Sequence, residues 1–367
     1  MKKGLILWLC FLAVQQTAWA GRAFVADSTV EVQIATNGTV AFTGGTTAIA
    51  ALKGLANKAP DAMIKKAEQK AQNETLYFTK KEDQGKAHGS TSVSVPKNFN
   101  LKFQTAVGSV SLTDVEGRVK GRVENGGISV IRGNGKMELN TDVGDITVTE
   151  SEASGFVMTR KGNVILQDMR GTLTGVSQNG KVTVKTTANY FTGRKPTRFQ
   201  LNYDQADIDI AAAPEGGDFV VSKGNISSRA VQKSITMKTD EGNLTVAPAS
   251  TGVRVNTRKG KVSVQVAANA NSTEPIIMEA QDGDADLLVP FNFAGNFVIT
   301  LIQTKNLTGR HIVNSFIDLG TIKTEEIMDP KTKVLISRIT QVSRVIRNGK
   351  QPVRIRVVNG NVNIKRI

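Results

Sequence analysis

Carboxylates paired at alternating positions are the residues of this chain whose type and spacing could do chemistry: Asp207 with Asp209, and Asp282, Asp284 and Asp286. Two carboxylates roughly 5–10 Å apart are the machinery of glycosidic-bond cleavage, one as proton donor and the other as nucleophile or base. Alternation along a strand instead turns such side chains toward water on one face. Other catalytic sets are thin. The only cysteine is Cys10, and the two histidines, His88 and His311, are far apart in sequence. Zinc clusters, Cys/His dyads and haem attachment therefore lack ligands, and neither histidine stands in a recognisable catalytic motif. No cofactor, metal or catalytic residue is expected.

Binding chemistry is better represented. Residues 331–367 carry ten basic residues and no acidic one. Within them Arg338, Arg344, Arg347, Arg354 and Arg356 are the candidate anion-binding residues, suited to phosphates, acidic glycans or anionic lipid. Arg354 and Arg356 alternate with Val353, Ile355 and Val357, which places both on the outer face of a closing strand. The same charges would also protect the edge of a terminal coil. Asn348-Gly349 fits a hairpin turn into that strand, while Leu335, Ile339, Val342 and Ile346 also fit a basic helix before it. A second candidate is the segment Tyr190 to Pro196, whose Tyr190, Phe191, Arg194 and Lys195 are expected to form a protruding loop.

The elements that must position these residues are set by a repeat of 18 residues: Gly108, Gly126, Gly144, Gly162 and Gly180, then Ala206, Gly224, Gly242 and Gly260 after one insertion. Two and four residues after each start stand apolar residues such as Val110 and Leu112, or Ile146 and Val148, with Ser228 the exception. Apolar residues recur at offsets 11 and 13, as in Met137 and Leu139. Each coil therefore has two short strands and two turns, and a lone coil cannot bury its apolar face, so the coils must stack. Nine or ten coils would give a rod roughly 45 Å long. A hydroxyl three residues ahead of several of these glycines, as at Thr141, Thr159, Ser177, Thr239 and Thr257, is expected to bond its own turn. The sixth position of successive coils holds Asp114, Arg132, Glu150, Asp168 and Thr186, which provides no consistent carboxylate row for calcium.

The first residues read as a cleaved secretory signal over 1–20: Lys2-Lys3, an apolar run from Leu5 to Val14, and Ala18-Trp19-Ala20. No transmembrane segment is expected after cleavage. Removing Lys2 and Lys3 from 47 basic residues, against 32 acidic ones, leaves a mature charge of about +13. Partners are expected to be anionic: an envelope polymer, an anionic glycan or lipopolysaccharide, a protein, or peripheral contact with a membrane. Both tryptophans lie in the signal and aromatic residues are 5% of the chain, which argues against nucleic acid. An N-terminal cap is expected over 21–90, with a short helix near 46–72, then solenoid repeats over 91–290. A β-rich cap ending in a basic coil completes the chain over 291–367.

The leader VSVPKNFNLKFQTAVGSVSL, the serial G-[NKD]-[IVL]-x-[VIL] strands and the closing VRIRVVNGNVNI resemble the bacterial adhesin-labelled β-strand-repeat family, a domain of unknown function. The resemblance covers roughly 28–45 and 90–367. It implies an exported or envelope-associated β-solenoid with no established catalytic residues, in the periplasm or at the cell surface. The expectation is an all-β parallel β-solenoid (β-helix) acting as a non-enzymatic binding scaffold. The alternative is a carbohydrate-active β-helix enzyme, a polysaccharide lyase or hydrolase.

Overall fold

Neighbouring coils stand in register at the interval of the repeat: Ile146 lies beside Ile128 and Val164, and Val148 beside Val130 and Leu166. The computed structural model describes residues 29–35, 38–45, 73–79, 88–96, 100–187, 190, 198–268, 270, 272–305, 307, 311–314, 320 and 322–367. The expected signal, the expected helix near 46–72, and Phe191, Arg194 and Lys195 lie outside the described residues. Among those described, no helix is long and apolar enough to cross a membrane.

The chain opens with β1 (Thr29–Ala35), β2 (Gly38–Gly45), β3 (Asn73–Thr79) and β4 (His88–Pro96). The regular run follows: β5 (Leu101–Val107), β6 (Val110–Thr113), β7 (Glu116–Asn125), β8 (Ile128–Ile131), β9 (Asn134–Val143), β10 (Ile146–Thr149), β11 (Glu152–Lys161), β12 (Val164–Gln167), β13 (Leu173–Asn179) and β14 (Val182–Thr186). Beyond an insertion come β15 (Phe199–Gln205), β16 (Asp207–Ile210), β17 (Gly217–Lys223), β18 (Ile226–Ser228), β19 (Ile235–Glu241), β20 (Leu244–Ala249), β21 (Val253–Lys259), β22 (Val262–Val266), β23 (Ile276–Asp282) and β24 (Ala285–Val289). The last elements are β25 (Gly295–Gln303), β26 (Ile312–Asn314), β27 (Lys323–Met328), β28 (Leu335–Ile346), β29 (Gln351–Val358) and β30 (Val362–Arg366).

These strands build a parallel β-solenoid. The even-numbered strands other than β28 form one sheet of fourteen, in the order β26-β30-β24-β22-β20-β18-β16-β14-β12-β10-β8-β6-β2-β4. At about 4.8 Å per strand that sheet runs roughly 60 Å, longer than nine or ten coils would be, because the strands at both ends of the sequence join it. Opposite lie a five-stranded sheet, β13-β11-β9-β7-β5, and a nine-stranded one, β15-β17-β19-β21-β23-β29-β25-β28-β27. Inward residues of both sides meet in one continuous core, including Val110, Leu112, Met137, Leu139, Val164 and Leu166. The apolar-polar-apolar alternation is the cause: side chains of a strand alternate faces, and only one face here is dry.

The turns explain the spacing. Gly144 has φ +142, and a Cβ there would lie 2.2 Å from the carbonyl oxygen of Gly126 one coil back, so the turn excludes any larger residue. Contrary to the expectation from sequence, the hydroxyls ahead of the glycines do not bond their own turns. They face inward and reach to the neighbouring rung: Thr141 Oγ1 donates to Gly126 O at 2.8 Å, and Thr159 Oγ1 to Gly144 O at 2.8 Å. A hydroxyl held in the core must find an acceptor, and the stacked turn offers a carbonyl with a spare lone pair. The residue after the glycine forms a third ladder, which the sequence reading missed. Side-chain oxygens of Asp145, Asn163, Asp207, Asn225 and Asn243 each accept the backbone N–H of the matching residue one coil on, at 2.7 to 3.1 Å. At the sixth position Asp114, Arg132, Glu150 and Asp168 have φ between 50 and 56. That corner needs a left-handed backbone and imposes no common side chain.

Two corrections concern the end of the chain. Residues 335–346 form the long strand β28, not a helix. Asn348-Gly349 does not close a hairpin between β28 and β29, because β25 lies between them, antiparallel to one and parallel to the other. The connection crosses over the start of β25 with Arg347 and Asn348 both at φ 53. A Cβ on Gly349 would lie 2.0 Å from Gly295 N, which accounts for the glycine. The last coil in sequence, β29 with β30, is thus not last in space. It is inserted between the β23–β24 coil and the β25–β26 coil, with side-chain contacts spanning 77 residues, such as Asn363 Nδ2 to Asp286 Oδ1 at 2.7 Å. The opposite end shows the same order, since β2 lies between β4 and β6.

Candidate functional site

The five arginines singled out from sequence are not brought together. Arg354 and Arg356 do share the outer face of β29, both exposed, but the register partner of Arg356 is Glu279. Arg344 lies opposite the buried Phe297, on the other face of the sheet. Arg338 lies opposite the buried Gln303 on that same inner face. Its guanidinium is engaged there, by Glu326 at 2.7 Å and by the carbonyl of Leu307 at 2.8 Å. That pair lines a cleft of ≈ 420 Å³ with Gln303, His311, Thr324 and Thr340, where the nine-stranded sheet overhangs β26. Arg347 sits in the turn with its guanidinium 4.9 Å from the ring centre of Phe291, and Arg366 lies 4.0 Å from the same ring. One outer strand face, the opposite face of the sheet with its cleft, and one turn therefore divide the expected patch. The edge-protection reading also fails for Arg354 and Arg356, since β29 is an interior strand.

Tyr190 does not protrude. It is buried, its ring stacks on Phe199 at 5.5 Å, and its hydroxyl donates to Met169 O at 2.9 Å. The reason is a gap: no ladder joins β13 to β15, and an aromatic side chain covers the apolar end that this break exposes. Tyr203 spans the same gap, donating to Leu173 O at 3.2 Å, and burial pushes its phenol up to about 12.

The paired carboxylates are absorbed in rungs. Asp207 accepts from Asn225 N–H at 2.8 Å and pairs with Lys181. Burial alone would raise its pKa, but these donors hold it below the ordinary carboxylate range. Asp209 pairs with Ser227 and Arg229, Asp284 with Asn361, and Asp286 with Asn363 and Lys261. Asp282, beside the Asn359 amide and the Lys305 ammonium, is also held low. His311 donates its backbone N–H to Asn361, next to β26 at one end of the long sheet, whereas His88 begins β4 at the other. Among the described residues no group of three or more His, Cys, Asp or Glu is placed to hold a metal ion.

A charged face that the sequence reading did not single out lies on the five-stranded sheet. Arg118, Lys120 and Arg122 alternate with the buried Val119, Gly121 and Val123 along β7, so all three cations point outward. Lys102 on β5 is the register partner of Lys120, and Lys136 on β9 that of Arg118. Two carboxylates serve five of these cations. Glu138 contacts Arg118 at 2.9 Å, Lys136 at 3.4 Å and Lys120 at 3.6 Å. Asp142 contacts Arg122 at 3.1 Å and Arg160 at 4.0 Å. The Arg118 hydrogen bond, aided by Lys136, holds Glu138 below its ordinary pKa against the opposing effect of burial. The five cationic side chains remain 54–61% exposed, so the charge is presented to solvent.

The outer face of the long sheet has a different chemistry. Ser111, Ser129, Thr147, Ile165 and Thr183 stand in one row, with Thr113, Ile131, Thr149 and Gln167 in the next. On this side Lys185 lies beside Asp209, and Lys261 pairs with Asp286. The rod thus has a face rich in hydroxyls, interrupted by Ile131 and Ile165, and on its other side a cationic one. No protein-family model, curated protein or solved structure matches the chain.

Proposed function

We propose that this chain is an exported, non-enzymatic β-solenoid that serves as a binding scaffold at a bacterial envelope or cell surface and takes an anionic polymer as its partner. The observation that carries the reading is the cationic sheet face, where five exposed cations share two carboxylates in a rigid ladder. A ladder presents its charges at fixed intervals, which favours many weak simultaneous contacts with an extended polyanion. The carboxylates that an enzyme of the glycosidase type would use argue the same way. A proton donor needs a raised pKa, whereas Asp207 and Asp282 are both lowered by their ladder partners. The likeness of the repeat motif to adhesin-labelled β-strand repeats, and the leader over 1–20, support export.

The test is sedimentation of the purified mature protein with bacterial envelope fractions, beside an assay for reducing ends released from acidic and neutral polysaccharides. Co-sedimentation that falls with salt, with no release of reducing ends, is the expected result. Release of reducing ends would replace the scaffold with the enzyme reading. Failure to sediment at low salt would remove the envelope partner.

A further inference from the structure

The cationic face is narrow, and its borders are acidic. Along β7 the outward cations lie between Glu116 and Glu124 at the two ends of the strand. The corner beside this face adds Glu150 and Glu152, both exposed. From Arg118 to Arg122 the chain advances about 13 Å, and five strands at about 4.8 Å cover roughly 20 Å along the axis. A broad anionic surface such as a membrane would meet the acidic borders together with the cations. A single polymer chain running along the axis would pass between them.

What lies further along that axis is apolar. The row that begins Lys102, Lys120, Glu138 continues to Phe156, and the row Gln104, Arg122, Asn140 continues to Met158 and Val176. Phe156 is 42% exposed and Val176 41%, and with the half-buried Met158 between them they form one contiguous apolar patch. Cations for acid groups, amides of Gln104 and Asn140 for hydroxyls, and an aromatic ring for the apolar face of a sugar together match one ligand chemistry.

We infer that the outer face of the five-stranded sheet binds a linear acidic polysaccharide laid along the solenoid axis. Its carboxylate or sulfate groups pair with Lys102, Lys120, Arg122 and Arg160, and a sugar ring packs on Phe156. The inference rests on the scaffold reading above and assigns its place and partner class. Polygalacturonate and dextran sulfate distinguish uronate from sulfate ester as the anionic group.

The experiment is calorimetric titration of the full mature protein with both polymers, with neutral dextran, and with phosphatidylglycerol vesicles, at low and moderate salt. Lys120→Gln/Arg122→Gln should weaken acidic-polymer binding at least tenfold and flatten its salt dependence. Phe156→Ala should weaken binding about threefold while leaving the salt dependence unchanged. Arg354→Gln/Arg356→Gln, on the other sheet, should bind as the parent does. Thermal melts check that each variant folds, and binding by a folded Lys120→Gln variant alone decides the matter if the double variant does not fold. Loss of binding in the Arg354 variant with retention in the Lys120 variants would overturn the place and leave the scaffold standing. Vesicle binding tighter than polymer binding, and lost in the Lys120 variants, would overturn the partner. No binding to either acidic polymer by the parent protein would overturn the acidic-polysaccharide inference, while sedimentation with envelope fractions decides the scaffold reading separately.

Discussion

Two insertions interrupt the solenoid, and they are absorbed differently. The insertion after Val266 lengthens one coil equally on both sides: Val253 pairs with Ile276 and Val262 with Ala285, an interval of 23 in each ladder. The insertion after Thr186 does not. On the long sheet Val184, rather than Val182, pairs with Ile208, an interval of 24, while on the other side the ladder stops at β13 and restarts at β15. The long sheet therefore slides by two residues. A slide of two keeps every side chain on its face, whereas a slide of one would turn Ile208 and Ile210 outward. Parallel ladders tolerate added chain when it enters both sides equally or in even steps. Where the sides disagree, one ladder is lost and aromatic packing closes the gap.

The sharpest way to test that comparison is a charge in the core on one side of the gap. Val164→Asp buries a carboxylate between Ile146 and Val182 and should cost more than about 4 kcal/mol. If the unbroken long sheet couples the two halves, circular dichroism will show the whole rod melting in one depressed transition. If the gap decouples them, a second transition will remain at the parent temperature.

Gly144→Ala, within the regular run, adds a Cβ against Gly126 O and an alanine at φ +142. It should cost about 3 kcal/mol in a chemical denaturation experiment. A neutral result would mean the turns can re-space without their glycines. At the gap itself, Tyr190→Ala removes the ring stacked on Phe199 and should cost about 2 kcal/mol. Faster amide exchange along β15 than along β21 would confirm that the tyrosine covers an open edge.

The smallest effect concerns acid. Asp207, next to the first insertion, and Asp282, in the coil after the second, both have folded pKa values below the ordinary one. A depressed carboxylate stabilises the fold above its unfolded pKa of about 3.9, and that contribution is lost as pH falls through the folded value. The melting temperature should therefore drop below about pH 4. Asp207→Asn keeps an oxygen for the Asn225 N–H, as Asn163 does for Lys181. Its melting temperature should lie slightly under the parent at pH 7 and converge with it near pH 2. Parallel curves would show that Asp207 contributes nothing to the acid limb.

Strands and inward residues were legible because period two and period eighteen coincide: Val110, Ile128, Ile146 and Val164 show both face and rung at once. The order of coils in space was not. Val353, Ile355 and Gly360 have the same phase as Val253, Val255 and Gly260, so a coil that fits one gap fits any other. The slide at Ala206 was hidden for the same reason, since the offsets on either side of it look alike. The cationic face was partly legible. Arg118, Lys120 and Arg122 alternate in one strand as visibly as Arg354 and Arg356 do, but its other members come from different repeats and only stacking brings them together. The scarcity of acid near the C-terminus marks out arginines that the fold then divides among the two faces of a sheet and a turn.

The inserted position of the last coil has a mechanical consequence. Tension applied at Ile367 would pull on β30 and β29, each flanked by ladders on both sides, from β24 and β26 and from β23 and β25. A strand at the end of a stack peels away one hydrogen bond at a time. One held between two neighbours must break both rows in shear before it moves, so a load would meet the unfolding barrier of several coils together. The rod is thereby clamped where an ordinary stack would begin to unzip.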